Sequence, residues 1–150
     1  MPQISKHRLD KTLQEEMFVH FWSSIANLRT TRAVANFFSD LLTHTEEVML
    51  AKRLTIAVLL MRDKRPIDIA HALHVSFSTI GRVSTWVSRA KPETKHELER
   101  IIKTSQWQVF FDKIEALVDT LPPRYGTDWS KAGKEKFIRA QDRATRASLR

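Results

Sequence analysis

Between Ile69 and Arg82 the sequence IAHALHVSFSTIGR carries an apolar pattern of helical spacing that stops at His74 and restarts two residues later in a new phase. Two helices must therefore meet at a tight corner, and little else in the chain restricts its fold as strongly. Ile69 and Leu73 are the inward residues of the first helix, and Ala70 is small enough to let another helix approach closely. His74 falls where such a corner needs a left-handed backbone, which histidine tolerates better than a branched residue does. Val75 plugs the corner. Ser76 is placed to cap the second helix by accepting from the amide of Ser78 or Thr79. Pro66 excludes its predecessor from helical geometry and opens the next helix well, so two short helices are expected over about 66–73 and 77–90.

Taking about 100° per residue along the second helix, Ile80, Val83, Trp86 and Val87 gather on one side, while Ser78, Gly81, Arg82, Thr85 and Arg89 fall opposite. The second face is small, polar and cationic. A helix entering the major groove of DNA needs such short positions so that its backbone can approach the bases, with Arg able to take a guanine edge or a phosphate. The residues expected to meet duplex DNA are Ser76, Phe77, Ser78 and Thr79 at the helix start and Gly81, Arg82, Thr85 and Arg89 along it. A helical hairpin with a solvated outer face shares this periodicity. The full run Ile-Ala-x-x-Leu-x-Val-Ser-x-x-Thr-Ile-x-Arg favours a helix-turn-helix over that alternative.

Elsewhere the sequence reads as helix. Only three glycines occur, and no Asn-Gly or Asp-Gly pair is available to close a hairpin. Met17, Phe18, Phe21, Trp22, Ile25 and Leu28, then Val34, Phe37, Phe38, Leu41 and Leu42, recur at helical spacing on either side of RTTR (29–32). Thr43 and Glu46 form a capping-box pattern at the head of a helix that RDKRP ends near Arg62. Pro92 and Glu93 start another amphipathic segment, which KTSQ interrupts and Pro122-Pro123 ends. The expected fold is all-α, a multi-helix bundle containing the helix-turn-helix. Residues 1–121 form the DNA-binding domain, with the helix-turn-helix at about 66–90 and an added helical segment at about 93–121, and 122–150 form a basic tail.

The net charge of +8 suggests a polyanionic partner. It is unevenly placed, because eight basic and only three acidic residues lie between Arg124 and Arg150. Two readings of that tail stay open: a helix capped by Ser130 with Arg139, Arg143, Arg146 and Arg150 along one side, or a disordered solubilising segment. Cysteine is absent and the longest apolar run, LTIAVLLM (54–61), is far below the ~20 residues a membrane span needs, so neither a disulfide framework nor a membrane partner is expected. The expected location is the cytoplasm. His71 and His74 have no cysteine and few carboxylates near them in sequence, so no metal and no cofactor is expected. No phosphate-binding glycine loop, serine elbow or HExxH occurs, and an enzyme with catalytic residues is not expected. Trp22, Trp86 and Trp107 lie within apolar periodicity and are expected to pack rather than to stack on bases.

LLTHTEEVMLAKRL (41–54), the TIAVLL run and IAHALHVSFSTIGRVS (69–84), in this order and spacing, resemble the Trp repressor superfamily, and particularly its small bacterial Trp-repressor-related regulators, over about Phe18–Ile102. The resemblance implies a repressor-like transcriptional regulator, an intertwined all-α homodimer whose paired helix-turn-helix units read two half-sites of double-stranded DNA. Phe18, Phe21, Trp22, Phe37 and Phe38 independently favour a homodimer, since two short helices cannot readily bury so much aromatic surface within one small chain. By residue matching the resemblance also implies a possible effector pocket at Thr43, Arg53, Arg82, Val83 and Trp86. Val83 and Trp86 stand where the family has small residues. Overfilling a packed space costs about 1–3 kcal/mol, which argues against free tryptophan as a corepressor. Two other functions fit the same residues: the DNA-binding component of a mobile element, and a helical interaction protein whose basic tail binds RNA or an acidic partner. Beyond about Lys103 the resemblance has no counterpart.

Overall fold

A computed structural model describes residues 10–123 and 126–149. Among these residues every regular element is a helix, as expected for an all-α chain. The chain divides between Leu50 and Ala51 into two compact units.

The first unit contains α1 (Lys11–Ala26), α2 (Thr31–Leu41) and the start of α3 (His44–Met61). Each helix begins on a polar side chain that satisfies otherwise orphaned amides. Asp10 accepts from the amides of Thr12 and Leu13 at 3.1 and 3.4 Å, and Thr30 accepts from Ala33 at 3.1 Å. At the head of α3 the capping box forms, with the Glu46 carboxylate accepting from both the amide (2.9 Å) and the hydroxyl (2.8 Å) of Thr43. No described residue of this unit is buried. Its aromatic residues instead meet edge to face along the chain, in the pairs Phe21 with Trp22 and Phe37 with Phe38.

The second unit holds the core. The C-terminal half of α3 is covered on all sides, so that Thr55, Ile56, Ala57, Val58 and Leu59 are consecutively buried. Thr55 satisfies its hydroxyl by donating to the Ala51 carbonyl at 2.9 Å. Around this rod pack α4 (Pro66–Leu73), α5 (Phe77–Arg89), α6 (Pro92–Ile102) and α7 (Ser105–Thr120), which contribute Ile69, Ile80 with Val83, Leu98, and Phe111 with Ile114. Proline opens α4 and α6, as the sequence requires, and the break near KTSQ falls at Lys103 and Thr104.

The tail is helical: α8 (Trp129–Ser148) starts on Asp128, whose carboxylate accepts from the amides of Ser130 and Lys131 at 2.9 and 3.2 Å. The cap is thus Asp128 rather than Ser130, because the carboxylate two residues upstream reaches the first free amides and leaves Ser130 inside the first turn. No residue of α8 is buried. It is held to α7 by charge: Asp119 receives Arg139 at 2.8 Å and Arg143 at 2.6 Å, and Arg146 reaches Asp112 at 2.8 Å. Burial pushes the Asp119 carboxyl up, but the hydrogen bonds from Arg139 and Arg143 outweigh it and hold the group below the usual Asp range. Glu115 extends the network, accepting from Lys64 of the α3–α4 turn at 2.6 Å. Arg150, the fourth arginine of the expected stripe, lies outside the described residues.

Candidate nucleic-acid interface

The corner between α4 and α5 is built by three adjacent residues. His74 takes the left-handed conformation at φ 48° and ψ 58°, and its amide bonds back to the Ala70 carbonyl. Val75 donates to the same carbonyl at 3.2 Å, which closes the end of α4. Ser76 then caps α5, its hydroxyl accepting from the Thr79 amide at 3.3 Å. The same hydroxyl lies 2.9 Å from that of Ser78 and 3.0 Å from that of Thr79. The three hydroxyls at the entrance of α5 therefore form one hydrogen-bonded group.

Past this entrance the two faces of α5 separate cleanly. Ile80 and Val83 are buried at 2% and 6% exposure, whereas Ser78, Gly81, Arg82, Thr85 and Arg89 are exposed. Ser76 and Phe77 are exposed and Thr79 is half-buried. Phe77, the first residue of the helix, keeps 60% of its surface in solvent. The Arg82 and Arg89 guanidinium groups make neither an ion pair nor a hydrogen bond among the described residues, unlike those of Arg139, Arg143 and Arg146 of α8. Thr85 donates to the Gly81 carbonyl at 3.0 Å and keeps its lone pairs free to accept. A side chain added at Gly81 would meet nothing within 4 Å, and its backbone lies in ordinary helix. Glycine there weakens the helix by about 1 kcal/mol relative to alanine, with no internal contact to account for it.

Trp86 departs from its expected packing. It is 46% exposed and stands outside the cluster formed by Ile80, Val83 and the partly buried Val87. At about 100° per residue it lies roughly 120° from Ile80, at the edge of the apolar arc that the two valines occupy. Among the described residues the cation over an aromatic ring is Arg62 on Phe111, at 4.0 Å, and no such contact joins Trp86 to Arg53 or Arg82. Arg53 is exposed on α3, and Val83 is sealed in the core. Thr43 belongs to the first unit, where its hydroxyl is committed to Glu46. Trp107 packs as expected, against Phe110 and Phe111.

The family described as Trp repressor protein matches residues 16–102. The chain belongs to the Trp repressor family. No curated protein and no solved structure matches it. The family is one of non-enzymatic helix-turn-helix regulators that bind DNA, and the matched span carries the α4–α5 corner whole. No described helix is long and apolar enough to cross a membrane, and no described cluster of His, Asp or Glu could hold a metal.

Two features of this Trp repressor family member lie beyond the matched span. The first is the contribution of Phe111 and Ile114 of α7 to the core of the helix-turn-helix. The second is the pairing of the tail arginines. A legible signal existed for the second, since Asp112, Glu115 and Asp119 are spaced three and four apart and Arg139, Arg143 and Arg146 four and three apart, complementary stripes on two helices.

Proposed function

We propose that the chain is a homodimeric, sequence-specific double-stranded DNA-binding protein that regulates transcription and needs no free tryptophan to bind. The observation that carries this reading is α5: a helix set across a three-residue corner, with Ile80 and Val83 anchoring one face while Ser78, Gly81, Arg82, Thr85 and Arg89 face solvent. Paired copies of such a helix address half-sites about 34 Å apart, so duplexes selected from random DNA are expected to have dyad symmetry at that spacing. Arg82→Ala is expected to weaken binding and relax preference at one base pair by about 1–3 kcal/mol while leaving stability unchanged. Selected sites without symmetry, or an Arg82→Ala protein that binds as the parent does, count against the reading.

Dimerisation is supported by the first unit, whose Met17, Phe18 and Trp22 are 48%, 45% and 60% exposed in the single chain. Independence of tryptophan is supported by Val83, which fills core space beside Arg82, and by the uncommitted Trp86 ring. Calorimetry with L-tryptophan is expected to give no heat. Tighter duplex binding on adding the amino acid would overturn this part.

A further inference from the structure

Phe77 is the first residue of α5, keeps 60% of its surface in solvent, and stands outside the core cluster. Among the described residues its ring pairs with no other ring. A single exposed apolar side chain needs no explanation on its own; the surroundings of this one matter. Four residues on, Gly81 lies one turn further along the helix and only about 40° round it from Phe77. No atom of the ring or of any other side chain comes within 4 Å of the place where a Gly81 side chain would begin. Phenyl ring and bare glycine backbone therefore leave a notch between them, beside the exposed Ser78, Arg82 and Thr85.

We infer that this notch receives the C5-methyl group of a thymine in the major groove, which makes Phe77 a specificity-determining residue. The inference rests on the DNA-binding reading of α5 and adds which base that helix selects. When a helix-turn-helix docks, the N-terminal residues of its second helix meet the base edges, and Phe77 stands first among them. Those edges carry hydrogen-bond donors and acceptors, with one apolar group, the thymine methyl. Pressed against a donor or acceptor, the ring would displace water and return no hydrogen bond, which is costly. Against a methyl group it displaces the same water and buries apolar surface. The polar neighbours do not compete for this role, since the Ser76, Ser78 and Thr79 hydroxyls bond to one another and Arg82 suits a guanine or a phosphate. Trp86, the other ring on α5, lies about 180° round the helix and more than two turns further along, away from the notch.

The test is fluorescence anisotropy with the full chain and the duplex it selects from random DNA, each thymine being replaced in turn by uracil, which removes only the methyl group. At one thymine of each half-site the replacement is expected to weaken binding about fourfold, the effect of leaving one methyl group unburied. Phe77→Ala should bind the thymine and uracil duplexes alike, and Phe77→Leu should keep the difference. Arg82→Ala should weaken binding to both duplexes and preserve their ratio, because it acts on another contact. Both Phe77 variants should melt as the parent does, since the ring lies outside the core. If the parent binds its selected duplex and no uracil weakens it, or if Phe77→Ala still prefers thymine, this inference fails while the DNA-binding reading stands. If the parent binds no duplex, both fall. A lower mass for Phe77→Ala than for the parent in light scattering would put the ring between two copies of the chain and overturn the inference as well.

Discussion

The two units of this Trp repressor family member are both built from helices that carry large apolar side chains, and they end in opposite states. From Ala51 onward, ten apolar side chains are buried among the described residues, four of them consecutive on α3. Up to Leu50 no described residue is buried, although Phe18, Phe21, Trp22, Phe37 and Phe38 all lie there. Apolar content therefore does not decide burial; the number of helices available to close around it does. Five helices meet in the second unit, whereas α1, α2 and the start of α3 cannot cover one another. In the proposed dimer the first unit would be one half of a core that a second copy completes.

The sharpest way to break that contrast is to remove a side chain from the finished core. Phe111→Ala is expected to cost about 3–5 kcal/mol in urea unfolding, since it empties space beneath Trp107 and takes away the ring under Arg62. A cost below 1 kcal/mol would mean that α7 is an accessory to the unit. The matching change in the other unit is Trp22→Ser, which should leave a single chain nearly untouched but weaken self-association by about 2 kcal/mol or more. Light scattering reads it directly. The parent should run at twice the 17.5 kDa chain mass and the variant should approach the chain mass on dilution, whereas a monomeric parent would remove the explanation offered for the exposed aromatic residues.

Smaller effects sharpen how the second unit is held. Asp119→Asn leaves Arg139 and Arg143 without their shared carboxylate and is expected to destabilise α8 by about 1–3 kcal/mol, seen as faster amide exchange in residues 129–148. The same contact makes acid sensitivity predictable. Asp119 is held below its ordinary value of 3.8, so its contribution is fully present above that pH and is lost as the pH falls through the lowered folded value. Loss of α8 helicity should begin below about pH 4 in the parent and be shifted or absent in Asp119→Asn. The smallest expected change is Gly81→Ala, which should stabilise α5 by up to about 1 kcal/mol and at the same time weaken duplex binding. Improved stability with unchanged binding would mean that no close approach occurs there.

What could be read from the sequence was mostly what neighbouring residues decide among themselves. Pro66 and Pro92 open their helices, Thr43 and Glu46 close their capping box, and His74, Val75 and Ser76 make the corner, all through contacts within five residues. Packing across the chain was less legible. Trp86 fitted the apolar period but fell at its edge, where two valines had already filled the arc. The tail arginines could be read as a stripe but not paired, because their partners on α7 lie 20 to 34 residues away. The interface of α5 was legible as a face, since helical phase fixes which residues point together, but the mutual bonding of the Ser76, Ser78 and Thr79 hydroxyls depends on rotamers that no spacing specifies.

The placement of Phe111 and Ile114 in the same core as Ile69 and Ile80 also orders events in time. During synthesis, at about 5–20 residues per second, the α4–α5 corner leaves the ribosome seconds before α7 does. Through that interval the inner faces of α3 and α4 have no ring to close over them, so a nascent chain halted after residue 102 would display an apolar surface that the finished protein hides. The span matched to the Trp repressor family is thus, in this chain, the part that waits, and the segment beyond that span is the part that lets it settle.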